Sequence, residues 1–334
     1  MKWGFNVYTL IRNTMTPRER VIRALNFEKA DRVATYLSVP GQYYSKFESK
    51  YGANWLDYFK MSDLDECIPL LAWPSSPGKT VDGVFWFTDN ILKDYSKAHE
   101  LIMPDPRAAG VFDNLYRNLK ANPDSAKVCN IFGPFTILHA CRNVANLYSD
   151  VLEYPDELHA LIKRVMDIQT DIIRQAVKLP VDIIYFQDDI ASTRGLIMSP
   201  QMIKEFILDY FEEGIAIAKK AGKKVAFHSD GNVTDILDDL CKMGVDAINP
   251  MQISCNDFDA FRRNYGGKMA VFGGIDNSFI IPNGTPEQIV AHVENLFKTF
   301  GYNGGLIMAT HEIRGYVPFE SYDALFYTMQ NCRY

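Results

Sequence analysis

A chain of 334 residues, 47% hydrophobic and 23% charged, has the composition of a folded globular protein and is long enough for one large α/β domain or two small ones. A formal net charge of −6 and an isoelectric point near 5.6 leave no broad basic surface. This argues against binding to nucleic acid or to an anionic membrane, and favours small molecules and other proteins as partners.

The cysteines and the apolar runs indicate where the protein works. Its six cysteines are scattered without a CxxC pair, which is typical of a reducing compartment and not of a disulfide-linked secreted protein. No apolar run approaches the roughly 18 residues that a membrane-spanning helix needs. We therefore expect a cytoplasmic protein with no membrane partner.

The N-terminal residues 1–14 contain a short apolar stretch bracketed by polar residues, and we interpret them as an extension and not as a signal peptide or anchor. Thr16 and Glu19 have the spacing of a capping box, and Pro17 stands at the first helical position. This pattern predicts a helix that opens a single domain over residues 15–334.

Eight short β-branched or aromatic runs alternate with helical stretches, as in parallel βα units. They cover residues 33–39, 67–72, 128–133, 183–186, 224–228, 247–250, 269–273 and 306–310. Eight units in this length predict a (β/α)8 TIM barrel with an N-terminal helical extension. After the second strand, the runs 84–87 and 90–95 predict an inserted hairpin.

Helix starts and ends carry their own signals further along the chain. Ser199-Pro200 and a second capping box, which begins at Thr285, each predict a helix start. Between residues 234 and 243 the apolar positions form one stripe, and Gly244 stands where a helix would end. These segments are predicted to be helices that cover the barrel.

Polar residues just after the strands are the candidate site residues, because the loops at the carboxyl ends of the strands build the active site in such barrels. The candidates are Gly41, Gln42, Asp188, Asp189, His228, Asp230, Asn249, Gln252, Asp276, His311 and Glu312.

Three of these residues suit a metal ion. His228 and Asp230 are two apart at an extended strand end, which directs both side chains to one side, and His311 follows the last strand. Two imidazoles and a carboxylate with an open fourth position suit catalytic zinc, and also ferrous iron. The alternative is structural: His228 is a hydrogen-bonded histidine at the barrel mouth, and Asp230 caps the following turn or helix.

The adjacent carboxylates of Asp188 and Asp189 also have two interpretations. Two carboxylates in a cleft raise each other's pKa and can work as an acid/base pair. Aspartate is equally a favoured capping residue. The sequence leaves both open.

Several blocks in order along the chain resemble the uroporphyrinogen decarboxylase-like superfamily. They are Met15 to Val21, Asp31-Arg32-Val33, Gly133 to Thr136, Asp188 to Gly195, His228 to Val233, Val245 to Pro250, Gly273 to Asp276 and Gly304 to Pro318. The resemblance implies a TIM barrel that belongs either to the porphyrinogen decarboxylases or to the corrinoid-dependent methyltransferases.

The chain departs from the decarboxylase pattern. Decarboxylases carry an arginine-rich motif after the first strand, whereas residues 38–43 here are Ser-Val-Pro-Gly-Gln-Tyr. Arginine forks are the physical means of holding carboxylates, so a tetrapyrrole with eight carboxylates would find little to hold it. The decarboxylases' Phe-Ser-Asp motif is echoed only by Met61-Ser62-Asp63.

The methyltransferases similar to this chain hold zinc through a His-x-Cys motif and a later cysteine. The histidine matches His228, and the two cysteine positions match Asp230 and His311, both competent zinc ligands. The resemblance therefore implies a zinc-dependent (or iron-dependent) methyltransferase of the O-demethylase type. It would move a methyl group between a small methylated substrate, such as a methyl ether, and the corrinoid (methylcobalamin) of a partner protein.

The remaining candidates receive roles within this hypothesis. Asp189 or Glu312 would handle the proton on the reacting heteroatom, with Asp188 beside them, and Gln42, Asn249, Gln252 and Asp276 would orient the substrate. Two rival hypotheses stay open: a decarboxylase of a smaller acid, and a non-catalytic paralogue that binds a corrinoid protein.

Overall fold

The structure is a computed structural model that describes residues 14–37, 44–52, 62–81, 84–310 and 317–334. Within these ranges eight strands form one parallel sheet. They are β1 (Ala34–Tyr36), β2 (Leu64–Cys67), β3 (Ala126–Phe132), β4 (Ile183–Gln187), β5 (Lys224–His228), β6 (Ala247–Asn249), β7 (Ala270–Gly274) and β8 (Leu306–Ala309).

The strands close into a barrel. Their order in the sheet is β1-β8-β7-β6-β5-β4-β3-β2, so that β1 and β2 stand at its two ends. These ends meet where the N–H of Asp63, just before β2, donates to the carbonyl of Thr35 in β1 at 2.8 Å. Because parallel strands with helical crossovers close in this way in a (β/α)8 barrel, the predicted fold class is confirmed.

Helices connect the strands and cover the outside of the barrel. They are α1 (Pro17–Leu25), α2 (Tyr44–Tyr51), α3 (Asp113–Ala121), α4 (Pro134–Leu138), α5 (Val144–Glu153), α6 (Pro155–Ala176), α7 (Pro200–Ile203), α8 (Asp209–Lys220), α9 (Leu237–Met243), α10 (Phe258–Tyr265), α11 (Ile280–Asn283), α12 (Pro286–Leu296) and α13 (Phe319–Asn331). Across the described ranges, none of them is both long and apolar enough to cross a membrane.

The predicted helix signals are confirmed. Both capping boxes form. The Thr16 hydroxyl accepts from the N–H of Glu19 at 3.2 Å, and the Thr285 hydroxyl accepts from the N–H of Gln288 at the start of α12. Ser199 caps α7. Gly244 ends α9 with φ of 91°, a left-handed conformation that costs glycine little.

The barrel interior is filled by side chains that alternate along each strand. The inward-facing apolar residues are Ala34, Leu64, Ala126, Val128, Ile183, Tyr185, Ala226, Ala247, Ala270, Phe272, Ile307 and Ala309, and α1 adds Val21, Ala24 and Leu25. Since side chains alternate with a period of two, each neighbour of these positions points outward to the helices. The interior is therefore a packed core beneath a polar mouth.

Two predicted elements were wrong in place. The second strand was predicted at residues 67–72 but lies at Leu64–Cys67, since Pro69 and Pro74 make the following apolar run a poor hydrogen-bonding partner for a strand. The inserted hairpin pairs Gly78–Val81 with Val84–Phe87. Residues 90–95 are not its second strand, because Asp94 accepts from the N–H of Ser96 and starts the 3-10 helix Tyr95–Glu100.

A buried charge cluster lies at the amino-terminal end of the barrel. Asp63 accepts from Arg32 at 2.8 and 2.9 Å and from Arg20 at 3.1 Å. Asp63 and Arg20 are each 1% exposed. Because Asp63 precedes β2, it lies at the end opposite the mouth, so the echo of the Phe-Ser-Asp motif belongs to a structural ion-pair cluster.

Candidate active site at the barrel mouth

His228 ends β5 in a hydrogen-bonded chain of inward-facing side chains. Its Nδ1 lies 2.6 Å from Oδ1 of Asn249, the last residue of β6. The hydroxyl of Tyr185 in β4 donates to the same oxygen at 2.6 Å, and Nδ2 of Asn249 donates to the carbonyl of Phe272 in β7 at 2.6 Å. Four adjacent strands therefore hold the imidazole.

These hydrogen bonds determine which ring nitrogen of His228 has a lone pair to bind a metal or accept a proton. Since Nδ2 of Asn249 is committed to a carbonyl, its Oδ1 faces the ring and can only accept. Nδ1 of His228 must then carry hydrogen, so that in the neutral ring Nε2 holds the lone pair. A metal-binding histidine is held in this way, with its second nitrogen donating to an oxygen.

The carboxylate of Asp189 lies beside that nitrogen, and that of Asp230 is close enough for its charge to act on the ring. Nε2 of His228 is 3.5 Å from Oδ1 of Asp189, which also accepts from the backbone N–H of Asp230 at 3.1 Å. Burial works against a charged imidazole, but the Asp189 carboxylate, together with the Asn249 amide oxygen and Asp230, outweighs it and raises the pKa of His228. The Asp189 side chain is 65% exposed.

Asp188 points away from this group. It is 1% exposed and accepts from the N–H groups of Phe135 and Thr136, at 3.1 and 2.6 Å, and from the Thr136 hydroxyl at 2.7 Å. A Cβ on Gly133 would lie 2.4 Å from its Oδ2, so glycine is needed there for α4 to approach. This geometry is that of the capping alternative, and a catalytic role for Asp188 stays a prediction.

The stability of the protein should depend on pH through Asp188. Burial raises the pKa of Asp188 to about 7, although the bonds from Thr136 and Phe135 oppose it. Between about pH 4 and that value, the folded state keeps a proton that the unfolded chain releases, so the stability falls as the pH rises. The free energy of unfolding, measured by urea denaturation at several pH values across this range, should change less with pH for Asp188→Asn than for the wild type. An equal pH dependence in the variant would contradict the assignment.

The loop after β5 is braced by polar side chains from the loop after β6. Oε1 of Gln252 accepts from the N–H of Gly231 at 2.7 Å, and Oδ1 of Asn256 accepts from the N–H of Val233 at 3.1 Å. Gly231 has φ of 89°, and a Cβ there would lie 2.6 Å from the Ser192 carbonyl. Gln252 therefore positions the Asp230 loop, and its predicted contact with substrate stays a prediction.

Asp276 also serves its own loop. Its Oδ1 accepts from the N–H groups of Ser278 and Phe279, at 3.0 and 2.9 Å, and its backbone N–H donates to Nε2 of His292. Its proposed orienting role toward the substrate stays a prediction.

Four of the candidate residues, Gly41, Gln42, His311 and Glu312, lie outside the described residues. In the described ranges, no group of three histidine, cysteine, aspartate or glutamate side chains could hold a metal ion. The structure thus brings His228 together with Asp189, Asp230 and Asn249, and the third predicted metal ligand stays a prediction.

Sequence reasoning missed Tyr185 and Asn256. Tyr185 sits in an apolar strand and looked like core, but it has the same inward parity as Ile183, which would have placed it beneath the mouth. Asn256 lies seven residues after Asn249, the last residue of β6, where no strand pattern marks it.

Comparison with known proteins agrees with this architecture. The profile of the family described as uroporphyrinogen decarboxylase (URO-D) matches residues 86–332. The chain therefore belongs to the uroporphyrinogen decarboxylase family, which confirms the resemblance predicted from its motifs.

Individual relatives are distant. The uroporphyrinogen decarboxylase of Neisseria meningitidis is 28% identical over 227 residues, which are 64% of this chain and 60% of the relative. The methylated-thiol–coenzyme M methyltransferase of Methanosarcina mazei is 25% identical over 161 residues, 47% of this chain and 40% of the relative. The chain thus spans less than two thirds of the length of these curated relatives.

A solved structure described as a methyltransferase from Methanosarcina mazei superposes with a TM-score of 0.68. It covers 95% of this chain and 99% of that chain at 16% identity. At this identity the likeness establishes a shared fold.

Proposed function

We propose that the protein is a metal-dependent methyltransferase that moves a methyl group between a small methylated substrate and the corrinoid of a partner protein. The observation that carries the proposal is the hydrogen bond from Nδ1 of His228 to Asn249, which leaves Nε2 directed at Asp189 in the mouth. Similarity to a methyltransferase in both sequence and fold supports it.

The described residues fit a zinc ion in their donor chemistry. His228 offers a fixed imidazole nitrogen, and Asp230, whose Oδ1 is buried, follows two residues later in the same loop. With His311 as a third ligand, they would hold zinc, or ferrous iron, with one position open. When bound, the metal would polarise the heteroatom that carries the methyl group, and the partner's corrinoid would exchange the methyl group.

The chain's own residues would align and neutralise the reactants. Asn249 and Tyr185 keep the His228 ring in one orientation. Asp189, exposed and within 3.5 Å of that ring, would accept or return the proton of the substrate heteroatom at its carboxylate oxygens, and Glu312 is the alternative. Preorganised groups of this kind act mainly through alignment and charge.

Mixing the purified protein with zinc, cob(I)alamin and a panel of methyl ethers tests the proposal. Methylcobalamin should form from at least one donor, seen as the change in the visible spectrum of the corrinoid. A panel in which no donor yields methylcobalamin, with metal bound, would refute it.

A second candidate is a carboxy-lyase acting on an acid smaller than uroporphyrinogen. Relatives described as uroporphyrinogen decarboxylases favour it. The lack of arginine in residues 38–43 speaks against a polycarboxylate substrate. Release of carbon dioxide without metal or corrinoid would establish this activity in place of methyl transfer.

A further inference from the structure

Glu66 and Asn130 form a polar pair inside the barrel. Glu66 has the same parity in β2 as the inward-facing Leu64, and Asn130 has that of Val128 in β3. Nδ2 of Asn130 donates to Oε2 of Glu66 at 2.7 Å. The apolar interior thus carries a carboxylate and an amide near its carboxyl end.

The orientation of the amide leaves one acceptor unsatisfied. A carboxylate can only accept, so Nδ2 of Asn130 must face Glu66 and Oδ1 must face away. Asn130 is 1% exposed, and its Oδ1 has no hydrogen-bond partner in the described part of the chain. Leaving a buried acceptor unpaired destabilises the folded protein, and a ligand with a donor would remove this cost.

The carboxylate also lacks a positive partner. Across the described residues, the hydrogen bond from Asn130 is the one that the Glu66 carboxylate accepts, and no lysine, arginine or histidine pairs with that carboxylate. Because a carboxylate inside a barrel is costly unless paired, a cation would be favoured beside it.

Aromatic rings line the same interior. The rings of Tyr36 and Tyr185 lie 5.8 and 5.7 Å from the ring of Phe272, and Tyr185 is close enough to Glu66 to feel its charge. Aromatic faces attract cations and hydrocarbon alike, so an organic ammonium suits this surface better than a hydrated inorganic ion.

We propose that Glu66 and Asn130 form an amine-binding subsite, and that the methylated substrate carries a protonated amine which donates to the Glu66 carboxylate and to Oδ1 of Asn130. The amine subsite follows from the geometry, whereas the methylated part of the substrate rests on the proposed function. Tyr185 links the two regions, since its hydroxyl meets Asn249 beside His228.

Calorimetric titration with two matched probes tests the subsite. The first, 2-methoxyethylammonium, carries the amine, and the second, 1,2-dimethoxyethane, is its neutral counterpart. Since a charged hydrogen bond contributes about 1.5–3 kcal/mol, the wild type should bind the ammonium at least about tenfold more tightly. Glu66→Gln should remove this preference, and Asn130→Ala should weaken it.

Asp65→Asn is the matched control. Asp65 is the neighbour of Glu66 in β2 but faces outward, where Asn122 and Lys127 contact it. This variant should keep the preference for the ammonium probe. Circular dichroism identifies any variant that fails to fold. If Glu66→Gln fails to fold, the titration of Asn130→Ala tests the subsite.

A wild type with no preference for the ammonium probe, or a folded Glu66→Gln with full preference, overturns the subsite. These titrations need neither metal nor corrinoid, so an intact preference without methyl transfer refutes the proposed function alone. Methyl transfer from neutral ethers by a wild type that shows no preference for the ammonium probe refutes the subsite alone.

Discussion

Replacing His228 with alanine is expected to remove both the bound metal and methyl transfer. The ring is held by Asn249 so that Nε2 points into the mouth, and no other described histidine ends a barrel strand. Loss of a group that merely supports a ligand costs roughly 10–100-fold, so loss of the ligand itself should lower the rate by more than about 100-fold. Zinc per chain, measured by mass spectrometry, should fall with it.

Two further variants separate metal binding from general damage. Asn249→Ala frees the ring without removing it, and should lower metal affinity by roughly 10–100-fold. His99→Ala removes an exposed histidine on the 3-10 helix Tyr95–Glu100 and should change neither measurement. A folded His228→Ala protein that keeps its zinc would contradict the proposed ligand set.

Much of the barrel could be predicted because parallel strands and helix caps are local signals. β5 was predicted at its observed bounds, since its apolar run is flanked by Gly222 and Ser229. Both capping boxes depend on four consecutive residues. The second strand failed because Ile68 to Ala72 is more apolar than β2 itself, in which Asp65 and Glu66 break the run.

The site was predicted residue by residue but not as a connected group. Adjacent carboxylates diverge: Asp188 binds the N-terminus of α4, whereas Asp189 meets His228. Which of the two carboxylates is buried depends on α4, whose Thr136 lies 52 residues before Asp188 in the chain. Pairing of His228 with Asn249 likewise depends on the register of β5 and β6, which the sequence does not specify.

The polar residues inside the barrel could not be predicted because of where they lie along the strands. Glu66 and Asn130 stand within strands, whereas the pattern that predicts site residues applies to the positions just after strands. Their inward parity becomes visible only once Leu64 and Val128 are known to face the interior. Predicting the polar residues beneath the barrel mouth therefore requires accurate strand bounds, and composition alone does not supply them.

At the opposite end of the barrel, Asp63→Ala should cause the largest loss of stability. Asp63 accepts two bonds from Arg32, one from Arg20 and one from the N–H of Thr35 at 2.9 Å. Its removal leaves the buried guanidinium of Arg32 without a carboxylate in the described ranges and that of Arg20 with Asp31 alone, and breaking a buried pair in this way costs about 3–5 kcal/mol. Urea denaturation should show this as a lower free energy of unfolding.

The same variant distinguishes a structural aspartate from a catalytic one. If Asp63 acts only at the amino-terminal end, Asp63→Ala kept below its unfolding transition should bind metal at His228 as the wild type does, and its activity per folded molecule should be unchanged. Asp167→Ala, which breaks an exposed ion pair with Lys163, should leave the urea midpoint unchanged. Loss of activity in fully folded Asp63→Ala would instead show that this residue supports catalysis directly or by positioning the site, and would contradict a purely structural role.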